Sequence, residues 1–176
     1  MEYDRGGLGD PIAYALWVPG WGKGSWRVSF AAGLKMPIGS TAKRLSTGRA
    51  DAGGAFAVTG EVGRWRLNFN GGVIVPGNIS FLPGLDIAPF AGVAASAGYR
   101  FTSTSLWVQL NWEQSAFRDV TQTPLSDDVH DVSVGVRFPL ARSVRGYVAF
   151  TENLFAFDNS SDIGFHGGIT WRTKAD

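Results

Sequence analysis

RWRLNFNGGVIVPG, residues 64–77, divides in two when every second residue is taken. Trp65, Leu67, Phe69, Gly71, Val73 and Val75 fall on one side, and Arg64, Arg66, Asn68, Asn70 and Gly72 on the other. Period two is the spacing of a β-strand whose faces meet unlike surroundings. What remains is which face points inward. With Gly63-Arg64 as a two-residue loop, the preceding strand pairs Val62 with Trp65, Glu61 with Arg66, Val58 with Phe69 and Phe56 with Gly71. The last pair sets an aromatic ring over a glycine, and Glu61–Arg66 makes a cross-strand ion pair on the polar face.

The same alternation recurs along the chain. Candidate strands cover 10–18, 26–35, 50–62, 64–75, 89–101, 106–117, 129–138, 144–156 and 162–172. Trp26, Val28, Phe30, Ala32 and Leu34 stand against Arg27, Ser29, Ala31, Gly33 and Lys35. Leu106, Val108, Leu110 and Trp112 stand against Trp107, Gln109, Asn111 and Glu113. Val132, Val134, Val136 and Phe138 oppose Asp131, Ser133, Gly135 and Arg137, and the last strand sets Phe165, Ile169 and Trp171 against His166, Thr170 and Arg172. In 144–156, Glu152 interrupts an apolar set of Val144, Val148, Phe150 and Leu154, which a bulge or the end of the apolar zone would each explain.

Connections carry a second signal. Gly63-Arg64, Thr102–Ser105 and Pro139–Ser143 are short, whereas Met36–Arg49, Pro76–Ala88 and Arg118–Asp128 are long. Alternating short turns and long loops are the habit of transmembrane β-barrels. Aromatic residues gather at the short-turn ends: Trp17, Trp21, Trp26, Trp65, Tyr99, Phe101, Trp107, Phe138, Tyr147 and Trp171. A membrane-interface girdle would place them there. The apolar face is therefore expected to meet lipid and the arginines to face inward.

Composition narrows the classes. Apolar residues make up 44% and charged residues 18%, with 24 Gly, seven Trp and a net charge of +1. That is too apolar for a disordered chain and too neutral for a dedicated nucleic-acid binder. There is no Cys, hence no disulfide framework and no thiolate metal site. No apolar run approaches the roughly 18 residues of a membrane helix. MEYDRGGLGDP at the start lacks a basic stretch followed by an apolar one, so no signal peptide is read. That leaves a cytosolic chain, a mature form or a piece of a longer one.

Gly7-Leu8-Gly9-Asp10-Pro11, LKMPIGS (34–40), LSTGRADAG (45–53) and the closing YVAFTENLFAFDNSSDIGFHGGITWR (147–172) carry a family resemblance. The chain resembles the C-terminal half of an uncharacterised, domain-of-unknown-function family of Gram-negative outer-membrane β-barrels. Its GLGD and lysine-x-proline-x-glycine pattern is similar to the outer-membrane transporters of the MetA-pathway phenol-degradation type. The resemblance implies an outer-membrane location, a transport role and further strands upstream of GLGD. An odd strand count points to missing strands too, because bacterial single-chain barrels have even numbers.

The expected fold is thus all-β: an antiparallel up-and-down transmembrane barrel of eight or nine strands, complete or part of a larger barrel. The expected function is a passive pore or transporter for small solutes, with membrane lipid around it and solute in the lumen. A soluble lipocalin-like calyx for a lipophilic ligand and a structural barrel with a plugged lumen are the alternatives. Expected lumen residues are Arg27, Arg64, Arg66, Asn68, Asn70, Arg100, Gln109, Asn111, Glu113, Arg137, Arg145, His166 and Arg172. The arginines lie at the short-turn end, and Asp10, Asp51, Glu113, Asp131 and Asp162 toward the long loops, a distribution that favours anions at the short-turn mouth.

No enzyme is expected. Ser and Thr are many, but none is paired by spacing with His130 or His166 as nucleophile and base. DDVHD (127–131) offers oxygen ligands and an imidazole, yet matches no calcium-loop spacing and reads as a solvated loop. The glycine pairs at 6–7, 53–54, 71–72 and 167–168 lack the strand–loop–helix setting of a phosphate cradle. No cofactor is expected.

Overall fold

The computed structural model describes residues 7–20, 24–43, 45–77, 87–117, 127–154 and 163–172. Those residues form nine strands and no helix: β1 (Ile12–Trp17), β2 (Trp26–Lys35), β3 (Asp51–Val62), β4 (Trp65–Val75), β5 (Phe90–Arg100), β6 (Ser105–Glu113), β7 (Val129–Ala141), β8 (Val144–Asn153) and β9 (Ile163–Trp171). They make one antiparallel sheet in sequence order. β1 pairs only with β2 and β9 only with β8, so the described strands leave two edges that do not touch.

Local chemistry explains the elements. β-branched and aromatic residues occupy alternate positions, the arrangement a pleated, two-faced strand favours. The β3–β4 hairpin forms in the expected register, with Val62 opposite Trp65, Glu61 opposite Arg66 and Phe56 opposite Gly71. Its turn is made possible by Gly63 at φ 60°, a left-handed conformation that costs a residue with a Cβ but not glycine. At Gly71 an added Cβ would sit 3.1 Å from the Phe56 ring, so the ring lies where a side chain would otherwise be.

Several strand ends differ from expectation, and two of the differences have a visible cause. β6 stops at Glu113 rather than 117, because the Ser115 N–H turns to the Asp128 carboxylate at 3.0 Å. β7 runs past Phe138 to Ala141, since its register shifts between Pro139 and Ala141. A bulge there accommodates a proline that cannot donate to the ladder. Only Arg142 and Ser143 remain as the turn. At Glu152 the pairing with Val132 and Ile163 is regular, so no bulge explains this acid. It stands between Val132 and Ile163, one residue before the end of β8.

The strand ends confirm the asymmetry of the connections. Residues 18–25, 63–64, 101–104 and 142–143 join strands at one end of the sheet. Residues 36–50, 76–89, 114–128 and 154–162 join them at the other.

Burial is inverted relative to a water-soluble domain. Among the described residues Ala149 is the one buried apolar side chain, whereas Ser46, Ser133 and Asn153 are buried, Asn153 at 1% exposure. Large apolar side chains stand in the open: Phe165 is 81% exposed and Trp171 71%, and Trp26, Phe69, Leu110, Val134 and Val148 share their face. Several of these rings touch one another, Trp17 with Phe30 at 5.6 Å and Tyr99 with both Trp65 at 5.1 Å and Phe101 at 5.0 Å. Ring pairs at such separations add modestly to stability, but among the described residues no second layer covers the face.

Candidate functional site: the polar face of the sheet

Antiparallel register converts alternation into rows that cross the sheet. One row runs Arg27, Thr59, Asn68, Ser96, Gln109, Ser133 and Thr151, each opposite the next on the neighbouring strand. The Thr59 hydroxyl donates to Asn68 Oδ1 at 3.0 Å, and Asn68 Nδ2 donates to Ser96 Oγ at 3.0 Å. Ser133 and Thr151 share a hydroxyl–hydroxyl bond of 2.7 Å. Short polar side chains thus form a belt at one height, most of them bonded sideways to the next strand. Sequence reading placed Arg27, Asn68, Gln109 and Ser133 on this face but did not foresee the belt, whose members are spread over six connections.

Below the belt, toward the short turns, lies a cavity of about 380 Å³ lined by Arg64, Arg66, Arg100, Arg137, Arg145 and Glu61. Trp107 also lines it. This indole lies across Gly135 on β7, directly opposite it in register, where any Cβ would run into the ring. Tyr147 covers Gly168 on β9 in the same way. Both aromatics therefore belong to the polar face rather than to an outward girdle; Trp21 lies outside the described residues. Glu61 approaches Arg66 at 3.8 Å with both side chains half exposed, a geometry of little energetic worth. Among the described residues, Arg64, Arg100, Arg137 and Arg145 have no acidic partner.

Above the belt, a larger cavity of about 820 Å³ is lined by Lys35, Asp51, Asn70, Asn111, Glu113 and Asp131 among others. Gln109 Nε2 donates to Asn111 Oδ1 at 2.8 Å. At its rim the glycine- and proline-rich motifs converge. Lys35 Nζ lies 2.6 Å from Asp51 and 3.7 Å from Asp10, and donates to Thr47 Oγ1 at 2.8 Å. Asp10 accepts from the Gly39 N–H and from the Ser46 hydroxyl, each at 2.9 Å, and Asp51 accepts from the Gly77 N–H at 2.8 Å. Burial alone would raise the Asp10 carboxyl pKa; the Gly39 N–H, the Ser46 hydroxyl and the Lys35 ammonium outweigh it and hold it below the ordinary value. The Asp10 side chain is 6% exposed and that of Lys35 16%. The knot ties the 36–50 connection to the segment before β1 and to β3.

The remaining expected residues scatter. Arg27 stands at the end of the belt on β2, outside both cavities. His166 lies on the polar face opposite Ala149, exposed and away from either cavity. Arg172 follows β9, its N–H donating to the Ser143 carbonyl at 2.9 Å. In DDVHD, Asp128 accepts from Trp112 Nε1 at 3.1 Å and from the Ser115 N–H. His130 and Asp131 point to opposite faces, His130 beside Trp112 and Asp131 beside Asn111. Among the described residues no three His, Asp or Glu side chains gather as metal ligands. Asp162 lies outside the described residues.

Residues 28–173 match the protein family of unknown function DUF3187. The chain belongs to that family. No curated protein and no solved structure matches it. The DUF3187 match starts within β2, so it takes in Lys35, the 36–50 connection, the whole of the smaller cavity and the larger one except its β1 wall. It leaves β1 and Asp10 outside.

Proposed function

We propose that this DUF3187 chain is an outer-membrane β-barrel protein of a Gram-negative bacterium, a passive, non-catalytic pore for small solutes. The observation that carries the reading is the inverted burial: an apolar face that the described residues leave uncovered, opposite a polar face that lines two cavities. In water such a face would cost about 25 cal/mol per Å² left exposed; lipid removes that cost. Strand length fits as well. β2 to β9 hold 9 to 13 residues, and about 9–11 tilted residues cross a bilayer core. Trp17, Trp26, Trp65, Tyr99 and Trp171 lie toward the short-turn end of the apolar face, the height of an interface girdle. The resemblance to MetA-type transporters supports transport. In this reading the β1 and β9 edges meet each other or further strands, because lipid cannot satisfy an open ladder.

One observation favours a second reading. Ile12, Tyr14, Ile74 and Phe90 line the larger cavity, as a calyx for a lipophilic ligand would require. Gel migration of unheated against heated protein, refolded in detergent and in plain buffer, separates the two. Faster migration when unheated, with aggregation in buffer, is expected. A folded monomer in buffer would reject the membrane barrel in favour of the calyx.

A further inference from the structure

The smaller cavity has a charge that its own side chains do not balance. Among its described lining residues five guanidinium groups face one carboxylate, Glu61, which reaches only Arg66. Guanidinium stays charged at any ordinary pH. Arg100 and Arg137 both stand opposite Ser105, one on each side of it, so their backbones lie about 10 Å apart. Arg64 closes the β3–β4 turn and Arg145 is the second residue of β8, opposite Pro139. Like charges held this close repel, and an interior anion relieves the repulsion. The larger cavity carries the opposite balance, with Lys35 against Asp51, Glu113 and Asp131. The positive groups are therefore concentrated at one height rather than spread along the face.

The hydrogen-bonding chemistry narrows the ligand. Guanidinium forks match oxyanions, carboxylate or phosphate, through paired N–H donors. The Ser105 hydroxyl and the Asn68 and Gln109 side chains supply neutral partners on the same wall. The volume falls in the range of small-molecule sites, and between Arg100 and Arg137 the register places only the small Ser105. We propose that the short-turn cavity is a binding site for small multivalent oxyanions and makes the barrel anion-selective. This rests on the reading of the polar face as a lumen, and two measurements separate the two.

The first is equilibrium binding of inorganic phosphate to the detergent-folded chain at low salt, which needs no conduction. Arg100→Gln and Arg137→Gln are each expected to weaken binding about tenfold, the equivalent of one charge-assisted hydrogen bond. Arg142→Gln, in the neighbouring turn and outside the cavity, is expected to leave it unchanged. Arg64→Gln, outside every ladder, repeats the test if either strand variant fails to fold. The second is the reversal potential in planar bilayers under a potassium chloride gradient. Anion preference, lost in the Arg100→Gln/Arg137→Gln protein, supports the proposal. Arginine-dependent phosphate binding without conductance supports the site and rejects the open pore. Cation preference, or phosphate binding indifferent to the arginines, overturns the site and leaves the pore standing. Neither binding nor conductance overturns both.

Discussion

The two ends of the polar face handle charge in opposite ways. At the long-connection end, Lys35 stands between Asp10 and Asp51, and each of those carboxylates also accepts from the backbone, at Gly39 or Gly77. At the short-turn end four arginines face a cavity with no acid of their own. Charges that satisfy one another hold parts of a chain together. Charges left open at a cavity contribute nothing to the fold and are available to something outside it. The belt from Thr59 to Thr151 marks the boundary, a row of neutral groups most of which are bonded to the next strand.

The largest expected effect is at Lys35. Lys35→Met leaves two carboxylates facing each other in a partly enclosed knot. Removing one partner of a fully buried pair costs about 3–5 kcal/mol, and the residual exposure here reduces that to about 2–3 kcal/mol. Urea unfolding of the detergent-folded protein should show it, with faster proteolysis within 36–50. Arg100→Gln/Arg137→Gln should leave the unfolding midpoint unchanged or raise it. Equal losses from both proteins would break the comparison. Acid should act on the same end. The Asp10 pKa is lower folded than its ordinary 3.8, so its contribution is complete above that value and is lost as pH falls through the lower folded value. Pepsin cleavage in 36–50 is expected to rise only below about pH 3.8, while phosphate binding to the arginines keeps no trace of this transition.

The second effect concerns shape. Trp107 lines the arginine cavity with its ring over a glycine, so Gly135→Val pushes the indole off its seat. Overpacking of this kind costs about 2 kcal/mol. Gly167→Ala, on the apolar face with its nearest neighbour the Tyr147 carbonyl at 3.6 Å, should cost under about 0.5 kcal/mol. Unfolding midpoints of the two variants check the difference, and phosphate affinity should fall for Gly135→Val alone.

Much of this was legible in the order of residues. Period two sorted the faces along β2 to β9, and the Gly63-Arg64 turn fixed the β3–β4 register to the residue, because a two-residue hairpin leaves no freedom in pairing. Connection lengths separated the two ends, and with them the arginines from the acids. Lateral order across a long connection was not legible. Nothing in residues 36–50 says that Asp10 reaches Gly39 and Ser46, or that Lys35 lies between Asp10 and Asp51. GLGD, LKMPIGS and LSTG were visible as motifs, yet their convergence depends on a path through space. Trp107 and Tyr147 looked like girdle residues because height along a strand was read before face. Their own alternation, and the glycines opposite them, carried the signal that they belong to the polar face. The end of β6 was misplaced since an Asp128 side chain, not a turn residue, captures the Ser115 N–H.

The smallest effect discriminates most finely. Glu61 is the one acid among the described residues of the arginine cavity, exposed and 3.8 Å from Arg66. An exposed pair at that distance contributes about 0–1 kcal/mol, so Glu61→Gln should shift the unfolding midpoint by less than about 0.5 kcal/mol. Its effect on the cavity is electrostatic: five cations against one anion become five against none. Phosphate should bind more tightly, and more so at low salt, because added ions screen the exposed charges over about 10 Å at 0.1 M. A large stability loss would mean that Glu61 organises the arginines as Asp10 and Asp51 organise Lys35. The two ends would then differ in degree only, and the open charges at the short turns would be part of the fold.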